Sequence, residues 1–304
     1  MLERAVELAE RGRGTTHPNP VVGAVVVRDG AVVGEGWHEQ KGGPHAEVVA
    51  LEAAGEAARG ATLYVTLEPC DHHGTTPPCV EAIVAAGIAK VVVGAKDPTR
   101  DGIARLSEAG VGVELVDLWE ARVQNEAWLT WARLGRPFVT YKAAVTLDVR
   151  MSVPGERWVS GDESRRLVHE LRAASDAVAV GMGTVRADNP RLDARDVEVV
   201  RQPRRLAFGQ GPLPDGSELE LLSGPLDEEL GRLAGGNVQS LLLEGGPTLA
   251  SSFFEEDLVD KVLLFVAPTI SGTGPRLAAR ATLTHLSALA VGEDVLLTAY
   301  VHEP

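Results

Sequence analysis

The sequence predicts an α/β protein of two domains. Three observations carry that prediction. Strand-like and helix-like stretches alternate along the whole chain, 304 residues exceed what one compact domain usually holds, and a Gly-Arg-Pro run at 135–137 interrupts the series near its middle. The expected division is therefore 1–136 and 137–304.

Residues 2–10 read as an amphipathic helix stopped by Gly12 and Gly14. Residues 21–37 read as two strands about an Asp29-Gly30 turn, a dipeptide that favours tight hairpins. Residues 45–58 are expected as a helix, 61–67 as a strand, and 79–87 as a helix entered through Pro77-Pro78. Strands are expected at 90–95 and 111–116. A long helix follows at 117–133 and carries Trp119, Trp128 and Trp131. In the second half, 138–147 is a strand, 162–174 a helix, and 176–182 and 205–208 are strands. Residues 211–217 are loop-like. An apolar strand at 240–243 runs into Gly245 and Gly246, a helix covers 247–256, and 261–268 and 294–301 are expected as the last two strands.

Composition narrows the class. Hydrophobic residues at 44% and charged residues at 24% suit a soluble globular protein. Two cysteines are too few for a disulfide scaffold and suit a reducing compartment. The N-terminal stretch has no apolar h-region, and no apolar run nears the ~18 residues a bilayer span needs. A cytoplasmic enzyme is the expectation. The net charge of −14 argues against a nucleic-acid substrate, and the one basic run, at 201–205, reads as a solvated loop. A small anionic substrate stays open, because a few arginines can hold a phosphate within an acidic protein.

The chemistry of the first half starts at His45-Ala46-Glu47, which opens a helix, and continues at Glu68-Pro69-Cys70 and Cys79. One imidazole and two thiolates suit a single Zn²⁺ with one tetrahedral position open to water. Cys79, in the first turn of a helix, is favoured as a thiolate. Glu47 is placed to take a proton from that water and deliver it to a ring nitrogen and a departing amine. A disulfide is disfavoured by the compartment. A thioredoxin-type pair would have two intervening residues, where this chain has eight. Histidine-x-glutamate, then proline-cysteine and a second cysteine, is the pattern of zinc nucleobase deaminases.

The gap between the cysteines, with 16–27 (THPNPVVGAVVV), 45–51 (HAEVVAL), 64–79 (YVTLEPCDHHGTTPPC) and 95–98 (AKDP), resembles the deaminase half of the bifunctional riboflavin-biosynthesis deaminase–reductases. That resemblance implies a cytidine-deaminase-like three-layer α/β domain acting on a GTP-derived pyrimidine that carries a phosphorylated ribose. His45, Cys70 and Cys79 would bind zinc, Glu47 would shuttle the proton, and Asn19, His38 and His72 would contact the substrate. His73 reads as a solvated loop residue. Thr75 stands where the family usually has Lys or Arg.

In the second half there is no G-x-G-x-x-G, and the strand-to-glycine-to-helix run at 241–250 alone would fit any tight turn. With 142–148, 158–195 and 241–254 taken together, it resembles the reductase half of the same family. The implied domain is similar to dihydrofolate reductase and uses NADPH to reduce the ring-opened ribose to ribitol. Family cofactor positions fall on Ala144, Trp158, Thr184, Asp188, Gly246, Pro247, Thr248, Leu249, Ala250, Ser251 and Ser252. Substrate positions fall on Lys142, Arg172, Leu192, Arg195 and Glu244, and the resemblance also implies a homo-oligomer.

Four departures stand out: Val149 for a usual glycine, Glu156 for a serine, Phe208-Gly209 for Leu-Asp, and a stretch at 211–239 that reads as a trimmed strand-helix unit. Rival readings are a deaminase with a weak or lost reductase, a tRNA or DNA base deaminase, and a structural zinc domain fused to a ligand-binding module.

Overall fold

Asp29 and Gly30 adopt φ values of 51° and 80°, the two left-handed positions that a two-residue hairpin turn demands. They join β1 (Gly23–Arg28) to β2 (Ala31–Trp37) in antiparallel register. This hairpin belongs to the first of two units, Met1–Leu134 and Gly135–Glu303, of a computed structural model that describes residues 1–74 and 77–304. Thr75 lies outside the described residues.

In the first unit, β3 (Thr62–Leu67), β4 (Lys90–Ala95) and β5 (Gly112–Leu115) complete a sheet of order β2-β1-β3-β4-β5. The pleat sends alternate side chains to opposite faces. Val26, Leu63, Val65 and Val93 meet Ala50 of α2 (Ala46–Ala54), Ile83 of α3 (Cys79–Ala85) and Leu106 of α4 (Gly102–Glu108). On the other face, Val25 meets Ala5 and Leu8 of α1 (Leu2–Glu10), and at the strand ends Leu67 and Ala95 cluster with Ala121 and Leu129. The result is the three-layer deaminase-like arrangement. Close seating of α2 on β2 depends on glycine: a Cβ at Gly34 would lie 2.2 Å from the Ala50 carbonyl oxygen.

Two features were not legible in the sequence here. Helix α4 is one. The other is the division of the expected long helix into α5 (Trp119–Gln124) and α6 (Glu126–Leu134). Asn125 breaks it because its buried amide pairs with the backbone of Val21: Oδ1 accepts the N–H at 3.0 Å, and Nδ2 donates to the carbonyl at 2.8 Å. That pair imitates a strand partner and ties the helix to the segment after Asn19.

The second unit carries eight strands: β6 (Phe138–Thr146), β7 (Ala177–Gly181), β8 (Arg204–Phe208), β9 (Glu220–Leu222), β10 (Ser240–Leu243), β11 (Lys261–Ala267), β12 (Thr284–Val291) and β13 (Asp294–Tyr300). Their order is β12-β13-β11-β6-β10-β7-β8-β9, parallel from β11 to β9 and antiparallel at β13 and β12. Its helices are α7 (Asp162–Ala174), α8 (Met182–Asp188), α9 (Leu226–Gly235) and α10 (Pro247–Glu255). Alternation again builds two cores. Ala177 and Ala179 face Leu230 and Phe253, whereas Val178 and Val180 face Val185 and Leu192. Arg136 opens the unit with two bonds, 2.7 and 2.8 Å, to buried Asp260, which also accepts the Val139 N–H at 2.8 Å.

The region 211–239 corrects an expectation, since β9 and α9 form a strand-helix unit there. Three strand residues are too few for an alternation pattern to show. Phe208 packs edge-to-face on Phe253 with ring centroids 5.5 Å apart, so its departure serves the core. Edge strand β12 is exposed on both faces at all but its last residue, which is why no period marked it.

Val149 sits at φ 60°, a region strained for a β-branched residue. Its neighbours hold it there. The Val149 N–H donates to the Thr146 carbonyl at 2.9 Å, and the Asp148 carboxylate accepts the N–H groups of Ser271 and Gly272 at 3.0 and 2.8 Å. Val149→Gly is expected to stabilise the fold by about 1 kcal/mol once the larger unfolded-state entropy of glycine is subtracted. The thermal midpoint of this unit should then rise by about 2–4 °C, and an unchanged or lower midpoint would show that the turn carries no strain.

Candidate active sites

His45 caps α2 in extended conformation, Cys70 follows β3, and Cys79 begins α3 after Pro78. Three separate elements thus deliver three ligand atoms, all within 4.8 Å of one another. His45 Nδ1 is 3.2 Å from Cys79 Sγ and 3.5 Å from Cys70 Sγ, and the Cys79 N–H donates to Cys70 Sγ at 3.3 Å. The Cys70 thiol is pulled down to about 4, first by the hydrogen bond from Cys79 and further by His45, while the same bond and burial push Cys79 up. Glu47, in the first turn of α2, is buried beside Cys79, and burial raises its carboxyl.

Of the other residues expected here, Asn19 and His38 come together and His72 does not join them. His38 Nδ1 donates to the Pro44 carbonyl at 2.9 Å, and its Nε2 lies 3.2 Å from Asn19 Nδ2. The first bond leaves Nε2 as an acceptor for the Asn19 amide. Burial lowers the His38 pKa, which keeps that neutral form. His72 is exposed in the loop before α3, and His73 makes an exposed contact of 3.4 Å with Glu81.

In the second unit a cleft of about 800 Å³ opens among β6, α7, the end of β7, α8 and the turn after β10. Parallel α/β sheets commonly place ligands beyond the carboxyl ends of their strands. Lys142, Ala144, Trp158, Thr184, Asp188, Arg172, Arg195, Glu244, Gly246, Pro247, Thr248 and Leu249 all line it. Glu244 is the hub. Arg172 binds it through Nε at 2.6 Å and Nη2 at 3.0 Å, and Lys142 Nζ sits 3.0 Å from Oε2. Burial raises the Glu244 carboxyl, but Lys142 and Arg172 outweigh it and hold the group down to about 2. Arg195 is more exposed and pairs with Asp193 at 2.8 Å. Trp158 stands between Arg157 and Arg165, whose guanidinium carbons lie 5.0 and 5.6 Å from its ring centre.

Four expected residues lie outside this cleft. The Leu192 and Ala250 side chains are buried in apolar cores, and Ser251 and Ser252 bond to the carbonyls of Ala278 and Thr248. Glu156 is exposed and does not line the cleft either. Sequence reasoning missed Arg165 and His169. A signal was available, because 165, 169 and 172 recur at helical spacing and so share one face of α7.

Comparison with known proteins now bears on this geometry. Residues 1–95 match the cytidine and deoxycytidylate deaminase zinc-binding region, and residues 137–297 match the RibD C-terminal domain. The riboflavin biosynthesis protein RibD of Aquifex aeolicus (strain VF5) is 40% identical, covering 90% of this chain and 87% of its own. RibD of Escherichia coli (strain K12) is 38% identical over 90% of this chain and 89% of its own. The solved structure of Acinetobacter baumannii RibD, form 1, superposes with a TM-score of 0.86 at 35% identity, covering 98% and 97% of the two chains. A diaminohydroxyphosphoribosylaminopyrimidine deaminase/5-amino-6-(5-phosphoribosylamino)uracil reductase from Thermotoga maritima gives 0.81 at 34% identity, covering 99% and 97%. With a zinc-binding deaminase region and a RibD C-terminal domain in one chain, and these relatives matched along most of their length, the chain belongs to the RibD family of bifunctional riboflavin-biosynthesis deaminase–reductases.

Proposed function

We propose that Met1–Leu134 deaminates the GTP-derived phosphoribosylaminopyrimidine at one zinc held by His45, Cys70 and Cys79, and that Gly135–Glu303 reduces its ribosyl group with NADPH. The observation that carries the reading is the convergence of one imidazole and two thiols from three elements beside a buried carboxylate. The donor set fits the metal. Tetrahedral ligands at zinc bond lengths stand roughly 3.3–3.8 Å apart, close to the 3.2 and 3.5 Å found here. When bound, zinc supplies a water activated for attack near neutral pH.

Glu47 takes one proton from the attacking water and passes it to the ring nitrogen. It then passes the second to the amino group, which leaves as ammonia. Asn19 faces the pyrimidine with its amide orientation set by neutral His38, so His38 acts through Asn19 rather than on the substrate. His72, exposed in the loop before α3, is read as a further substrate contact.

In the second unit the cationic cleft suits two anionic ligands in an otherwise acidic protein. The cofactor surface is Ala144, Trp158, Thr184, Asp188 and residues 246–249. Ala250, Ser251 and Ser252 support that turn from behind. Arg195 holds the substrate phosphate, and Arg172, clamped by Glu244, orients the pocket with Lys142. Leu192 anchors in the apolar core the segment that presents Arg195 to the cleft, and so acts through Arg195.

A coupled assay with the GTP-derived pyrimidine tests both halves. Ammonia is expected without NADPH, and substrate-dependent NADPH oxidation once it is added. Ammonia with no oxidation would leave a deaminase alone. The enzyme is further read as a cytoplasmic homo-oligomer, supported by the exposed Leu286 and Leu289 on edge strand β12, and a monomeric mass in solution would refute the assembly.

A further inference from the structure

Glu68 is neither a metal ligand nor placed to touch a substrate, yet it is almost fully buried two residues before Cys70. A buried carboxylate with no partner would be costly, so its partners reveal its work. Its Oε2 accepts the Asp97 N–H at 3.2 Å, and its Oε1 accepts the Ile103 N–H at 2.9 Å. One side chain therefore bridges the loop after β4 and the first turn of α4. Asp97, itself buried, shapes that loop by accepting the Thr99 N–H at 2.8 Å and the Thr99 hydroxyl at 2.7 Å.

A second contact acts on the residue between Glu68 and Cys70. A Cβ on Gly102 would lie 1.9 Å from the Pro69 carbonyl oxygen and 3.0 Å from its carbonyl carbon. Helix α4 thus starts against the peptide that leads into Cys70, and only glycine permits that approach. Beyond Cys70 the chain is pinned again, because the Cys70 carbonyl accepts the Val80 N–H at 3.2 Å. Cys70 is held from both sides. On one side stand Glu68 and Gly102 with the loop that follows β4, and on the other stands the first turn of α3.

We propose that Glu68 and Gly102 form a clamp that positions the Cys70 sulfur for zinc, so that the loop at 96–98 and α4, remote in sequence, set the geometry of the metal site. Glu68 is a positioning residue. Groups that orient metal ligands commonly change metal affinity by about 10- to 100-fold when removed. This inference rests on the zinc reading of His45, Cys70 and Cys79.

The test follows zinc release from the full-length protein to a colorimetric chelator, well below the unfolding temperature, for wild type, Glu68→Gln and Gly102→Ala. Both variants are expected to release zinc about 10- to 100-fold faster. Both should also shift the sulfur-to-cobalt absorption of the Co²⁺-substituted protein, which reports the thiolate geometry directly. A folded Glu68→Gln protein that holds zinc at the wild-type rate with an unaltered cobalt spectrum would overturn the clamp. If Glu68→Gln fails to fold, Gly102→Ala decides by the same two readouts. If the wild type binds no zinc at all, the zinc reading fails rather than the clamp.

Discussion

Glu47→Gln is expected to lower the rate of deamination by about 10²- to 10⁴-fold while the protein keeps its zinc. Glutamine fills the same buried volume, so Ala46, Ala50 and the rest of the α2 face keep their packing. The three ligand atoms are untouched, and metal content measured by atomic emission should match the wild type. What is lost is a carboxylate that can accept a proton and release it again, which an amide cannot do. NADPH oxidation, assayed with the already deaminated pyrimidine, should be unchanged, because it depends on a different cleft in a different unit. Deamination at the wild-type rate would remove Glu47 from the mechanism. Loss of zinc together with activity would give Glu47 a structural role instead.

The features that made this site legible in sequence are local ones. His45 and Glu47 sit within one helical turn, and the proline before Cys70 and the helix start at Cys79 are visible as motifs. What could not be read was the support around them. Asn125 pairs with Val21 across 104 residues, and Glu68 bonds to Ile103 across 35. No periodicity or short motif encodes partners so far apart.

The same contrast runs through the second unit. Strands β6, β7 and β10 announce themselves as apolar runs, because a parallel sheet buries both of their faces. Short β9 and exposed β12 have no such pressure on their composition. Residues 246–252 were expected as one stretch, but helix geometry divides them. Pro247, Thr248 and Leu249 meet the cleft, Ala250 turns to the core, and Ser251 and Ser252 lie farther along α10, where their hydroxyls bond to the Ala278 and Thr248 carbonyls.

Glu244→Gln carries the second large effect, and it touches stability and activity together. The Glu244 carboxyl is held at about 2 against an ordinary value near 4.5, because the charges of Lys142 and Arg172 more than offset its burial. A depressed carboxylate stabilises the fold at pH values above its unfolded value, and that contribution fades as pH falls from about 4.5 towards 2. Its size at neutral pH is about 3 kcal/mol, similar to the cost of breaking a buried ion pair from one side. Glutamine would leave two cations facing each other across the cleft with a neutral amide between them. The variant should therefore unfold at lower denaturant at pH 7, and the gap from wild type should narrow as the medium is acidified through pH 4. Arg172 would lose its two-bond ion pair, keeping one neutral bond to the glutamine carbonyl oxygen and the one to the Asp193 carbonyl, while the new amide NH₂ repels the guanidinium. Displacement of such a group by an ångström is enough to lower NADPH-dependent reduction by about 10²-fold, with zinc content and ammonia release unaffected. Equal stability of the two proteins at pH 7 would show that solvent in the cleft already screens the cluster. Full reductase activity would show that Lys142 and Arg172 hold their places without it.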